Sequence, residues 1–152
     1  MSLAPVLARI DADLENATQR LLELLRIPSI STDPAFDKAC ETAADWLVDQ
    51  LRAIGAEAQK HQTPGKPMVM GSFTGSSNPD APHILFYGHY DVQPADPLEL
   101  WHHHPLEPAV EQTAQGRVIR GRGSSDDKGQ LMTFVEACRA WKNEHGQMPC
   151  KI

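Results

Sequence analysis

The sequence has 152 residues, 41% hydrophobic and 22% charged, the balance of one folded domain with a sizeable core and not of a disordered or collagen-like chain. Twenty acidic residues against fourteen basic ones give a net charge of -6, and with no basic run this excludes a nucleic-acid partner held by counterion release. No stretch approaches the roughly 18 to 20 apolar residues of a membrane span and the start lacks the pattern of a secretory signal, so no membrane partner and a cytoplasmic location are expected.

Val6, Ile10, Leu14, Ala17, Leu21 and Leu24 recur at spacings of three and four, which predicts one buried face of a long helix running to about Leu25. Ile27-Pro28 ends it, and Asp33-Pro34 opens a second helix in the N-cap and N1 pattern. Phe36, Cys40, Ala44, Leu47, Leu51 and Ile54 line its inner face, and Gly55 is placed to stop it. From Ala56 the period shortens, and 56–61 and 68–73 read as strands around the turn Thr63-Pro64-Gly65.

The polar stretch 75–82 is a loop. Ile84-Leu85-Phe86-Tyr87 then forms a continuous apolar run, suited to a strand buried on both faces of a helix-covered sheet. After a loop over 94–105, residues 109–112 and 118–120 pair as a hairpin across Gln115-Gly116. A third helix begins near Asp127, carries Leu131, Val135, Cys138 and Trp141 on its apolar stripe, and closes at Gly146 and Pro149. Residues 150–152 look like the first step of another strand, which leaves the expected sheet unfinished.

Cys40, Cys138 and Cys150 are odd in number, widely spaced and in no C-x-x-C pair, so neither a disulfide framework nor a thiolate zinc site is indicated. Small buried hydrophobes are the better reading of Cys40 and Cys138.

Gly88 and then His89-Tyr90-Asp91 follow the run at 84–87 directly, and a buried strand delivers its next residues to the sheet edge where α/β enzymes keep their sites. Neutral imidazole is a common zinc ligand, and a carboxylate on its other ring nitrogen fixes the tautomer. Asp91 can be that carboxylate, although a lone His-x-Asp equally fits an ordinary loop edge. In the segment 120–129, Asp126 occupies the third glycine's place in a dinucleotide fingerprint, and Asp127 precedes Lys128 where a phosphate-binding loop has glycine. An acidic pair repels phosphate and suits a cation, with the positive end of the next helix keeping Asp126 ionised. Taken singly, Asp126 or Asp127 serves as well as a helix cap.

Jointly, GHYDVQP after an apolar strand and GRGSSDDKGQ opening a helix resemble the zinc-dependent metallopeptidases and amidohydrolases that include acetylornithine deacetylase, succinyl-diaminopimelate desuccinylase, glutamate carboxypeptidase and the carnosine-type dipeptidases. IPSIS at 27–31, Leu100-Trp101, Pro105 and Pro108 come in that family's order. The resemblance implies a three-layer α/β/α zinc-exopeptidase-like catalytic domain with a mixed, mostly parallel sheet. Residues 1–152 would be its N-terminal, truncated part, without the lid domain through which the family usually forms homodimers.

By motif position, His89 resembles a ligand of one zinc, Asp91 the orienting carboxylate of the catalytic machinery, and Asp126 the aspartate bridging two zincs. Asp127, a secondary candidate, follows the bridge, and the resemblance implies a cis peptide at Asp126-Asp127. The activity implied is metal-assisted hydrolysis of the amide bond of dipeptides or N-acyl amino acids, with cobalt or manganese as possible substitutes for zinc. Its general-base glutamate belongs to a Glu-Glu motif past position 152, so weak zinc binding and no useful turnover are expected of the isolated chain. HYDVQP favours the dipeptidase side. The alternative from another class is a non-catalytic binding or assembly module whose sheet a partner completes.

His102-His103-His104 is discounted as a metal site, because consecutive side chains do not easily converge on one tetrahedral ion. Trp101 reads as a packing residue, and Arg122 and Lys128 as local hydrogen-bond or ion-pair formers.

Overall fold

A computed structural model describes residues 2–75 and 78–152; Ser76 and Ser77 of the predicted loop 75–82 lie outside the described residues. Helix α1 (Leu3–Arg26) buries Val6, Leu22, Leu24 and Leu25. Leu14, expected on the inner face, is exposed. Thr18 turns inward instead, its hydroxyl donating to the Leu14 carbonyl at 2.8 Å, so its burial leaves no unpaired donor.

A single 3-10 turn, Pro34–Phe36, is capped by Asp33, whose carboxylate accepts the Ala35 amide at 2.9 Å. It leads into α2 (Asp37–Ala53), which buries Cys40, Ala43, Ala44, Leu47 and Val48 and packs on a hairpin of β1 (Glu57–His61) and β2 (Met68–Ser72). A second hairpin, β3 (Ala109–Thr113) with β4 (Gly116–Arg120), precedes α3 (Lys128–His145). Helix α3 lies against α1. Arg20 fastens the two, donating to Asp13 in its own helix and to Glu136 in α3, each at 2.6 Å. Leu24, Leu47, Phe73, Met132, Val135 and Cys138 are core residues common to these elements. All three cysteines are free and buried, and burial pushes the Cys138 thiol up to about 12. Among the described residues no helix is long and apolar enough to cross a membrane.

The expected mostly parallel sheet is corrected. The described residues form two separate two-stranded antiparallel sheets, and parallel pairing is confined to the isolated bridges Ile30↔Val92 and His83↔Lys151. Residues 84–87 are not a strand, for Leu85 is 94% and Tyr87 83% exposed. Ile84 donates its amide to Lys151 at 2.9 Å, and Phe86 stacks on Phe134 with centroids 3.8 Å apart. The physical reason is that a strand draws its hydrogen bonds and its burial from neighbours. Phe73 and Ile152 exchange two backbone hydrogen bonds of 2.8 and 3.1 Å, so 151–152 sits between the end of β2 and residue 83.

Candidate functional site

Three segments meet at the candidate site: 27–31 after α1, 88–92, and 121–129 leading into α3. The first two run side by side. Val92 donates its amide to the Ser29 carbonyl at 2.9 Å, and the Ser29 hydroxyl donates to the Tyr90 carbonyl at 2.6 Å. Ser29, Ile30 and Val92 are all buried. Gly88 sits at a close approach, since a Cβ there would stand 3.1 Å from Asp127 Oδ2 and 3.2 Å from Leu131. That same carboxylate oxygen accepts the His89 amide at 3.0 Å.

The third segment turns back on itself at the start of α3. A Cβ on Gly129 would fall 2.1 Å from the Ser124 carbonyl oxygen, so the chain crosses itself only where that atom is missing. Fully buried Lys128 reaches back to donate to the carbonyls of Leu24 at 3.0 Å and Ile27 at 2.7 Å. These bonds satisfy carbonyls at the end of α1, while burial lowers its ammonium to about 8. The Asp126-Asp127 peptide is cis, as the resemblance implies.

These contacts bring the predicted residues together. His89 Nδ1 lies 3.1 Å from Asp91 Oδ1, and His89 Nε2 lies 3.1 Å from Asp126 Oδ1. One imidazole therefore spans two carboxylates, the second from a loop 37 positions further along. The ring and Asp91 are half-buried, whereas the Asp126 side chain is 87% exposed. Burial disfavours the imidazolium, but the Asp91 carbonyl and carboxylate, the Asp127 charge and the Asp126 hydrogen bond together outweigh it, and the His89 pKa is raised. Asp127 acts on the backbone of His89.

Two donors on one zinc at about 2.0–2.1 Å, near the tetrahedral angle, stand about 3.3 Å from each other. The separation between His89 Nε2 and Asp126 Oδ1 is close to that. Among the described residues no group of three or more His, Cys, Asp or Glu side chains is arranged to hold a metal ion, so the pair fits part of a zinc site and supplies fewer than the usual three protein ligands. In the histidine run, His104 Nδ1 accepts the Leu106 amide at 3.3 Å and His103 Nδ1 faces the His104 carbonyl at 3.2 Å. Trp101 packs beneath the Arg122 guanidinium, 5.3 Å from the ring centroid, and donates its indole N–H to the Ala95 carbonyl at 2.9 Å.

Residues 85–152 match the family described as peptidase family M20/M25/M40. The Cys-Gly metallodipeptidase dug1 of Schizosaccharomyces pombe is 32% identical over 93% of this chain and 31% of its own length. The solved dipeptidase Dug1p of Saccharomyces cerevisiae superposes with a TM-score of 0.85 at 29% identity, covering 99% of this chain and 33% of that one. Residues 85–152 thus carry a match to peptidase family M20/M25/M40, and the similarity to these dipeptidases runs over nearly the whole chain. Further similarities run to the succinyl-diaminopimelate desuccinylase of Nitrosospira multiformis, 34% identical over 86% of this chain and 31% of that protein, and to human carnosine dipeptidase 1, with a TM-score of 0.82 at 26% identity over 100% of this chain and 34% of that one. The chain thus spans about a third of the length of the M20 relatives it matches.

Sequence reasoning used 27–31 only as a mark of resemblance and gave its serines no role. Yet Ser31 Oγ donates to Asp91 Oδ2 at 2.5 Å. No local pattern marks this contact: Ser31 stands in the turn that follows the Ile30 bridge, sixty positions from Asp91.

Proposed function

We propose that this chain supplies part of the active site of a zinc-dependent dipeptidase or N-acyl-amino-acid hydrolase, with His89 and Asp126 as metal ligands and Asp91 as the carboxylate that orients His89. The convergence of His89 Nε2 and Asp126 Oδ1 at 3.1 Å, with Asp91 on the opposite ring nitrogen, carries the reading. Asp126 is exposed enough to offer its second oxygen to a second ion, in keeping with two zincs or with cobalt or manganese in their place. A bound metal supplies polarisation of the scissile carbonyl and a water acidic enough to attack near neutral pH.

The chain's own residues do the positioning. Asp91 draws the ring proton to Nδ1, which leaves the Nε2 lone pair free to coordinate. Asp127 anchors the His89 backbone and Lys128 ties the loop to the end of α1. Substrate class rests on the relatives' names, Cys-Gly metallodipeptidase and carnosine dipeptidase on one side and succinyl-diaminopimelate desuccinylase on the other. A homodimer formed outside this chain and a cytoplasmic location belong to the same reading.

The test is hydrolysis of Cys-Gly and of an N-succinyl amino acid by zinc-loaded protein, comparing 1–152 with a polypeptide extended through the next acidic strand. Turnover by the extended form, reduced to background by His89→Ala and by Asp126→Ala, is the expected result; full turnover by either variant would contradict it. The exposed apolar run at 84–87 favours one second reading, an assembly module completed by a partner strand. A stable stoichiometric oligomer of 1–152, with no hydrolysis by the extended form, would favour that reading.

A further inference from the structure

Asp91 has two carboxylate oxygens, and His89 occupies only one of them. Oδ1 faces His89 Nδ1 at 3.1 Å, while Oδ2 accepts the Ser31 hydroxyl. Four side chains therefore form an unbroken line, Ser31 to Asp91 to His89 to Asp126. We propose that Ser31 is a positioning residue of this site, holding the Asp91 carboxylate in the rotation that keeps the His89 ring proton on Nδ1. The proposal rests on the reading of His89 as a ligand only for its consequence in metal binding.

The physical need for such a group is specific. The terminal torsion of an aspartate is broad and roughly two-fold, so one hydrogen bond from an imidazole leaves the carboxylate free to swing. A donor on the second oxygen removes that freedom, and the ring is then fixed through the carboxylate.

Ser31 is itself held by contacts that owe nothing to Asp91. The Ile30↔Val92 bridge sets the segment in register with 90–92. The Ser29 hydroxyl pins the Tyr90 carbonyl, and the Ser29 carbonyl accepts the Val92 amide. One residue upstream of Pro28, the Ile27 carbonyl accepts Lys128 Nζ at 2.7 Å, which ties the same segment to the loop that carries Asp126. The Ser31 end of the line is thus held by more contacts than the Asp126 end, which reaches solvent.

The experiment is nitrogen-15 NMR of the His89 ring in the 1–152 chain, at one pH where the ring is neutral, for wild type, Ser31→Ala and Ser31→Thr. Each is recorded before and during a zinc titration. Expected is a shift of the ring toward the Nε2–H tautomer in Ser31→Ala, restoration by Ser31→Thr, and a zinc affinity at His89 lower by about tenfold in the alanine variant, the small end of outer-shell effects. Backbone amide spectra that superpose outside 27–31 and 88–92 separate this from general unfolding. An unchanged tautomer in folded Ser31→Ala overturns the role of Ser31, whatever zinc does. A tautomer shift with no zinc response at His89 in wild type supports Ser31 as the positioner of the ring and overturns the metal-ligand reading alone.

Discussion

Helix α1 and the run at 84–87 are both rich in large apolar residues, yet Leu24 in the first is fully buried and Leu85 in the second is 94% exposed. A helix closes its own backbone hydrogen bonds and needs one apolar surface to lie on. Helix α3 gives α1 that surface, and Arg20 fastens the pair through Asp13 and Glu136. A strand draws both its hydrogen bonds and its cover from neighbours on either side, and the run at 84–87 has the Lys151 carbonyl for Ile84 and Phe134 for Phe86. Apolar content alone therefore does not decide burial, which depends on how much of the element's stability is local.

The largest test of that contrast is truncation of the two leucines. Leu24→Ala should lower the unfolding free energy by about 3 kcal/mol through lost transfer energy and a residual cavity, measured from urea midpoints. If it proves as mild as Leu85→Ala, the closed face is not closed. Next comes Gly129→Ala, expected to cost about 1–3 kcal/mol because the Ser124 backbone has to move aside; an unchanged midpoint would mean that the turn into α3 is loosely held.

Smaller again is Arg20→Met, with an expected loss of about 1 kcal/mol at neutral pH, as for a partly exposed ion-pair network. Its pH dependence sharpens the comparison. The Asn16 amide and the Arg20 guanidinium hold the Asp13 carboxyl below its ordinary value, so its contribution is present above the ordinary aspartate pKa of about 3.9 and is lost as pH falls through the lowered value. The gap between wild type and Arg20→Met should therefore narrow in acid, and a gap that widens would contradict the assignment. Leu85→Lys should have the smallest effect, within about 0.5 kcal/mol, and should reduce any concentration-dependent light scattering that arises from the exposed edge.

The same division governs what could be read from the residues alone. The three helices, both hairpins and the stop at Gly146 follow from period and turn chemistry, all short-range signals, although Asp33-Pro34 opens a 3-10 turn and α2 itself begins at Asp37. Leu14 misled because a threonine that bonds its own helix can take the buried place. The parallel sheet misled because an apolar run specifies a strand only where partner strands lie beside it. At the candidate site, two motifs pointed to His89, Asp91 and Asp126, whose side chains lie together in the structure. The residues that hold them, Ser31 sixty positions from Asp91, Asp127 thirty-eight from His89 and Lys128 more than a hundred from Leu24, act across distances that no local pattern records.

The most direct measurement is selective: zinc added to the 1–152 chain while the ring nitrogens of all seven histidines are followed by NMR. A saturable response at His89 Nε2 that disappears in Asp126→Ala is the predicted result, with the loop imidazoles of His102, His103 and His104 responding only at higher concentration. Saturation of that triplet first, with His89 unmoved or unaffected by the loss of Asp126, would contradict the claim that these two groups share a cation.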